Sequence, residues 1–128
     1  MNELSTTEST TAEVARVLRL HSFHYADEEQ LQRGVADALT LAGAPFTREV
    51  RLDEFSRIDF MVHARCEVGI EAKIASAASS VSRQLDRYLK SDKVDGLVLV
   101  TTLRRHKKLA GMRLGKPVEV VWLGFAAL

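Results

Sequence analysis

Three side chains near the middle of the chain have the types and spacing to do chemistry together: Asp59, Glu71 and Lys73. Asp59 lies in Arg57-Ile58-Asp59-Phe60-Met61-Val62-His63, and the other two lie in Glu67-Val68-Gly69-Ile70-Glu71-Ala72-Lys73-Ile74. Both runs read as strands, with Ala64-Arg65-Cys66 as the loop between them. A loop centred on Arg65 makes Met61 oppose Gly69 and Asp59 oppose Glu71; a slip of one residue would separate the pair. Alternation puts Ile58, Phe60 and Val62 on one face, and Asp59, Met61 and His63 on the other. In the second strand Gly69, Glu71 and Lys73 share a face opposite Val68, Ile70, Ala72 and Ile74. Carboxylates paired across strands repel at Cβ separations of about 4.5–5.5 Å. Either one acid is protonated or a cation sits between them. Two hard oxygen ligands with no Cys or His partner suit Mg²⁺ or Mn²⁺. A lysine pointing the same way can hold an attacking water and neutralise charge building on a scissile phosphate. Gly69 is expected to leave the neighbouring surface open, so that a bulky ligand can approach the backbone there.

The elements that must position these groups follow from period and punctuation. Met1 to Ser9 reads as a loose tail, and a first helix is predicted from about Thr10, where Thr10 and Glu13 form a capping box. A second helix runs from about Asp27 to Ala42, with Asp27 as N-cap and Gln30 three residues on. Leu31, Val35, Leu39 and Ala42 give it an apolar stripe, and Gly43-Ala44-Pro45 stops it. Phe46 to Leu52 is a strand ahead of the carboxylate hairpin. A third helix, about Ala77 to Lys90, buries Val81, Leu85 and Leu89. Val94 to Thr101 is the most apolar strand and belongs in the sheet centre. Arg104 to Ala110 reads as a short basic helix, and Pro117 to Leu123 as a last strand that Pro117 suits to a sheet edge. The order predicts an α/β fold, a single domain over residues 10–128, with a central mixed sheet of about five strands flanked by helices.

Asp, a hairpin and then Glu-x-Lys resembles the core motif of the PD-(D/E)xK nuclease superfamily, with Arg57-Ile58-Asp59 standing in place of the Pro-Asp that names the group. Gln84-Leu85-Asp86-Arg87-Tyr88 on the next helix resembles the Gln-xxx-Tyr motif of RecB-type members, where that helix packs beside the site. Glu28, opening the helix before the hairpin, is similar to the first-helix glutamate that joins the metal shell in VRR-NUC and Holliday-junction resolvase domains. The resemblance spans about Asp27 to Thr102. It implies a restriction-endonuclease-like core and a Mg²⁺- or Mn²⁺-dependent hydrolase of nucleic-acid phosphodiesters, DNA before RNA. It also implies Asp59, Glu71, Glu28 and the Ala72 carbonyl as metal ligands, Lys73 positioning water, and Gln84 orienting the site or contacting the backbone. Plainer readings stand beside these. Glu-x-Lys is common on exposed strands, Tyr88 can be a core residue beside Leu85, and Glu28 and Glu29 suit any helix first turn. The alternative function is a non-catalytic nucleic-acid-binding or protein-interaction module retaining the fold.

The whole-chain properties set bounds. A chain of 128 residues with a net charge of +1 does not announce a nucleic-acid partner by bulk charge, so any such surface must come from clustering. The one clear basic cluster is Arg104, Arg105, His106, Lys107, Lys108, Arg113 and Lys116, with Arg83, Arg87 and Lys90 on the preceding helix. Arg57, Arg83, Arg87, Tyr88, Arg104, Arg105, Lys107 and Lys108 are the candidate nucleic-acid contacts. Spanning a duplex suggests a homodimer. His21, His24, His63 and Cys66 lack zinc-site spacing. The single cysteine excludes an intrachain disulfide, and neither a membrane-length apolar run nor a signal-peptide pattern is present, so a cytoplasmic protein with no membrane partner is expected. No nucleophile motif or glycine-rich phosphate loop occurs. Trp122 and Phe125 are either core or cover for a partner surface.

Overall fold

The computed structural model describes residues 5–124; Phe125 lies outside the described residues. Helix α1 spans Thr6–Arg19 and is capped by Ser5, whose hydroxyl accepts the Glu8 N–H at 3.0 Å. The sequence carries two Ser/Thr-x-x-Glu boxes in tandem, and the outer one starts the helix. Residues 6–9 are therefore its first turn rather than part of a loose tail. Thr10, the expected cap, is buried inside α1 together with Thr11. Thr11 sits over Gly96, where any side chain would collide with it. Helix α2, Glu28–Leu41, follows its signals closely. The Asp27 carboxylate accepts the Gln30 N–H at 2.8 Å, the Gln30 side chain accepts the Ala26 N–H at 2.7 Å, and Gly43 leaves the helix at φ +70°.

Strands β1 (Phe46–Arg51), β2 (Arg57–His63) and β3 (Glu67–Lys73) form an antiparallel meander. Helix α3 (Ala78–Leu89) then crosses over to β4 (Gly96–Thr101), parallel to β3. A 3-10 helix (Arg104–Leu109) leads to a hairpin of β5 (Gly111–Arg113) and β6 (Lys116–Trp122), β6 running parallel to β4. The sheet is mixed, in the order β1-β2-β3-β4-β6-β5. All six residues of β4 are buried at its centre.

The sheet has six strands, and β6 is not its edge. The extra strand is three residues long, joined to β6 by Leu114 and Gly115 at φ +51° and +76°, the left-handed pair that a tight hairpin requires. Pro117 pairs with Met112 and stands one residue ahead of the β4 ladder, which starts at Val118, so its missing N–H is tolerated away from an edge.

Two apolar layers sandwich the sheet. Leu18, Leu31, Val35 and Leu39 of α1 and α2 pack on Phe60, Val62, Val68, Ile70, Val98 and Val100. Val81, Leu85 and Leu89 of α3 pack on Met61, Leu97, Leu99, Val118 and Val120. Burial on both faces is what fixes the register, because a one-residue slip would exchange the two sets. Among the described residues no helix is long and apolar enough to cross a membrane.

Candidate metal centre

The carboxylate hairpin adopts the expected register, with Met61 opposite Gly69 and His63 opposite Glu67. The ladder stops at Phe60–Ile70, one pair short of the acids. Beyond it each strand is held by the other's side chain. The Asp59 N–H donates to Glu71 Oε1 at 3.2 Å, and the Ala72 N–H donates to Asp59 Oδ2 at 2.9 Å. A carboxylate thus takes the place of a ladder acceptor, and the strands part where the acids stand. The N–H and carbonyl of one strand residue point the same way, so the Ala72 carbonyl faces the gap that the missing pair would have filled.

The same point reverses the faces of β1 and β2. Phe60 and Val62 pack under α1 and α2 as expected, but Ile58 joins Met61 in the α3 layer. Val50 likewise packs on the α3 side while Phe46 packs on the other. Pairing continues in step on both sides, Arg48 with Phe60 and Val50 with Ile58, but the Glu49–Asp59 pair between them is absent and Glu49 sits at φ +53°. This local twist corrects two expectations. Ile58 does not share a face with Phe60, and Gly69 is not open to a ligand. The Ile58 side chain lies over Gly69, where a Cβ would collide with it.

Glu71 is only 3% exposed. Lys73 Nζ lies 3.4 Å from its Oε2, and Tyr88 Oη lies 3.1 Å from the same oxygen. Burial first, and Asp59 second, push the Glu71 carboxyl up to about 8, against the pull of Lys73. Asp59 is also raised by burial, partly offset by the Ala72 N–H and Lys73. Both shifts run in the same direction, toward the protonated form, as expected of two acids buried side by side. Glu28 on α2 is raised by its own burial, then lowered by Lys73 and raised by Asp59, which places it in the same field. Arg48 of β1 lowers Asp59, donates to Gln32 of α2 at 3.3 Å, and lies 5.2 Å over the Phe60 ring. Sequence reading did not single out Arg48.

Helix α3 steadies Glu71 from below. Tyr88 is 2% exposed, so it is not the nucleic-acid contact expected of it. Gln84 Nε2 donates to Tyr88 Oη at 2.8 Å, and that hydroxyl also lies 3.1 Å from the Arg57 carbonyl. One hydroxyl proton thus faces two oxygens, the Arg57 carbonyl and Glu71 Oε2. Gln84 reaches the acid pair through Tyr88, with which it shares its hydrogen bond.

The arrangement suits an ion that keeps much of its own hydration. Among the described residues no three Asp, Glu, His or Cys side chains converge closely enough to form a cage. Mg²⁺ is commonly held by one or two carboxylates, with waters and substrate phosphate completing the shell. Asp59 Oδ1, Glu71 Oε2 and the Ala72 carbonyl are the oxygens not spent on ladder N–H groups, and they fit that pattern.

The basic cluster separates into two kinds. Arg113 is spent on Ser82 and Asp86 of α3, at 2.6 Å and 2.9 Å, and Lys116 donates to the carbonyl of Leu89 at the end of α3 and to that of Ser91 just beyond it. His106 is fully buried, donating from Nε2 to the Ser76 carbonyl at 3.0 Å while Nδ1 meets the Thr101 hydroxyl at 2.7 Å. Ser76, at φ +99°, is the strained turn by which the chain leaves the Lys73 strand, and His106 pins it. Arg57, Arg83, Arg87, Arg104, Arg105, Lys107 and Lys108 remain exposed. Trp122 is half-buried, its indole N–H donating to the Thr102 carbonyl, with Lys107 and Arg104 at 5.0 Å and 6.0 Å from its ring. His63 bridges Thr47 and Glu67 at 2.7 Å each, away from any metal cluster. Comparison with protein-family models, curated proteins and solved structures finds no match to this chain.

Proposed function

We propose that this protein is a Mg²⁺- or Mn²⁺-dependent nuclease that hydrolyses phosphodiester bonds, DNA before RNA, at the Asp59–Glu71–Lys73 centre. The observation that carries the reading is the break in the β2–β3 ladder, where two carboxylates, a lysine and a released carbonyl meet at the end of a buried sheet. Placing like charges there costs stability, and a bound cation would offset that cost where a shared proton does so otherwise. A divalent ion held there would supply polarisation of the phosphate and a water of lowered pKa.

The chain's own residues have separate tasks. Asp59 and Glu71 present oxygen ligands whose other oxygens are locked by main-chain N–H groups, so little reorganisation is needed. Tyr88, held by Gln84, fixes the rotamer of Glu71 and supplies a donor when that acid ionises. Lys73, with 17% of its side chain exposed, keeps its ammonium at the site, where it can orient water and offset charge on the non-bridging oxygens. Glu28 adds a third carboxylate to the field from α2.

The test is cleavage of plasmid and oligonucleotide DNA with Mg²⁺ or Mn²⁺. Wild type should cut only with metal, and Asp59→Ala and Lys73→Ala should each lower the rate at least about 100-fold. Metal-dependent cutting that survives both substitutions contradicts the reading. One observation favours the alternative, a binding module without turnover: both acids already have internal partners in main-chain N–H groups and the Tyr88 hydroxyl. Under that alternative, neither metal nor substitution at Lys73 changes nucleic-acid integrity.

A further inference from the structure

We propose that Phe55 is a base-stacking platform and that the substrate is unpaired nucleic acid at the point of cleavage; this rests on the nuclease reading of the same site. Phe55 is 85% exposed, and it is the one aromatic among the large apolar side chains left in water across the described residues. Isolated exposed apolar residues are ordinary, but this one is presented by a built turn. The Asp53 carboxylate accepts the Phe55 N–H at 2.8 Å, the Leu52 N–H donates to the Ser56 carbonyl at 2.8 Å, and Arg51 reaches the Glu54 carbonyl at 3.2 Å. Leu52 and Ser56 on either side are buried, which leaves Phe55 as the ring held outward.

Its place in the fold supplies the partner. Strand β2 begins two residues after Phe55 and runs antiparallel to β3, so the β1–β2 tip stands at the end of the sheet where β3 delivers Lys73. Asp59 is four steps along the chain from Phe55, a reach of at most about 14 Å. On the opposite flank, Lys73, Thr101 and Trp122 are register partners across β3, β4 and β6, which puts Trp122 roughly 10 Å from Lys73. Beside it the 3-10 helix carries Arg104, Arg105, Lys107 and Lys108, tied to the β3 end through Ser76.

A ring on one side of the centre and four cations on the other are the two components of a single-strand binding surface: stacking for bases, positive charge for phosphates. The tip itself bears Asp53 and Glu54, which disfavour a phosphate against Phe55 and leave a base as its partner. A base offers its face to an outside ring only where it is unpaired.

The experiment compares wild type, Phe55→Ala and Phe55→Trp for binding, in EDTA, to a single-stranded oligonucleotide carrying 2-aminopurine and to the matched duplex. Phe55→Ala should weaken single-strand binding roughly 5- to 150-fold and abolish quenching of the probe, Phe55→Trp should restore both, and duplex binding should change little. An unchanged melting temperature shows that the fold is intact. Equal loss on both substrates, or no loss on the single strand, overturns the inference. Metal-dependent cleavage measured on the same preparations keeps the two readings apart. Cutting without a Phe55 effect removes only the platform, and a Phe55 effect without cutting removes only the nuclease.

Discussion

Replacing Glu71 by Gln should remove a pH dependence of stability that the metal-free protein owes to one buried acid. The folded protein holds the Glu71 carboxyl up to about 8 against an ordinary value of 4.5, because burial penalises the charged form and Asp59 beside it adds like-charge repulsion. The folded state therefore binds more protons than the unfolded chain between those two values. Stability from this group is complete below the unfolded value and is lost as pH rises through the folded one. The loss runs at about 1.4 kcal/mol for each pH unit, hence roughly 3 kcal/mol between about pH 5.5 and about pH 7.5. Urea melts in EDTA across that range measure it directly. Wild type should fall relative to Glu71→Gln at each step upward in pH, and saturating Mg²⁺ should restore wild type but not the variant, because an ion bound only by the folded state stabilises it. Parallel curves for the two proteins, or a wild type that gains on the variant as pH rises, would refute the reasoning.

Further expectations follow from the same geometry. Tyr88→Phe deletes the hydroxyl shared by Gln84, Glu71 and the Arg57 carbonyl; unfolding should show a loss of about 1–3 kcal/mol, and Mn²⁺ affinity should fall about tenfold or more. Gly69→Ala should cost about 1–3 kcal/mol because its methyl meets Ile58, and adding Ile58→Val should recover much of that, a coupling that chemical denaturation of the double mutant measures. Neutralising Arg104, Arg105, Lys107 and Lys108 should flatten the salt dependence of single-strand binding by about 0.7 log unit for each phosphate that is no longer neutralised.

The sequence made the site's register legible because the alternation of β2 and β3 and the loop at Arg65 left one arrangement with two buried faces. The caps of α2 and the central place of β4 were equally plain, since Asp27, Gln30 and Gly43 and the run of apolar residues each have a local cause. What stayed hidden was non-local or degenerate. Two capping boxes compete at the start of α1, and packing of Thr11 on Gly96 favours the outer one. The face switch at Ile58 depends on β1, where Glu49 takes a left-handed turn that nothing in its own type announces. Strand β5 is too short to show a period. Arg104 to Leu109 shows its charge more plainly than its period, which is that of a 3-10 helix with three residues per turn. At that period Leu103, His106 and Leu109 share a side, and the burial of His106 follows. Arg113 and Lys116 look like surface charge until α3 is known to offer them acceptors.

The claim beneath all of this is that Asp59 and Glu71 together bind a divalent cation. Titration with Mn²⁺, followed by electron paramagnetic resonance of the free ion, addresses it without requiring any substrate. One saturable site per chain is predicted, tighter at about pH 8 than at about pH 6 as the proton leaves the pair, and lost in Asp59→Asn. No saturable site, or one that Asp59→Asn leaves intact, would contradict it.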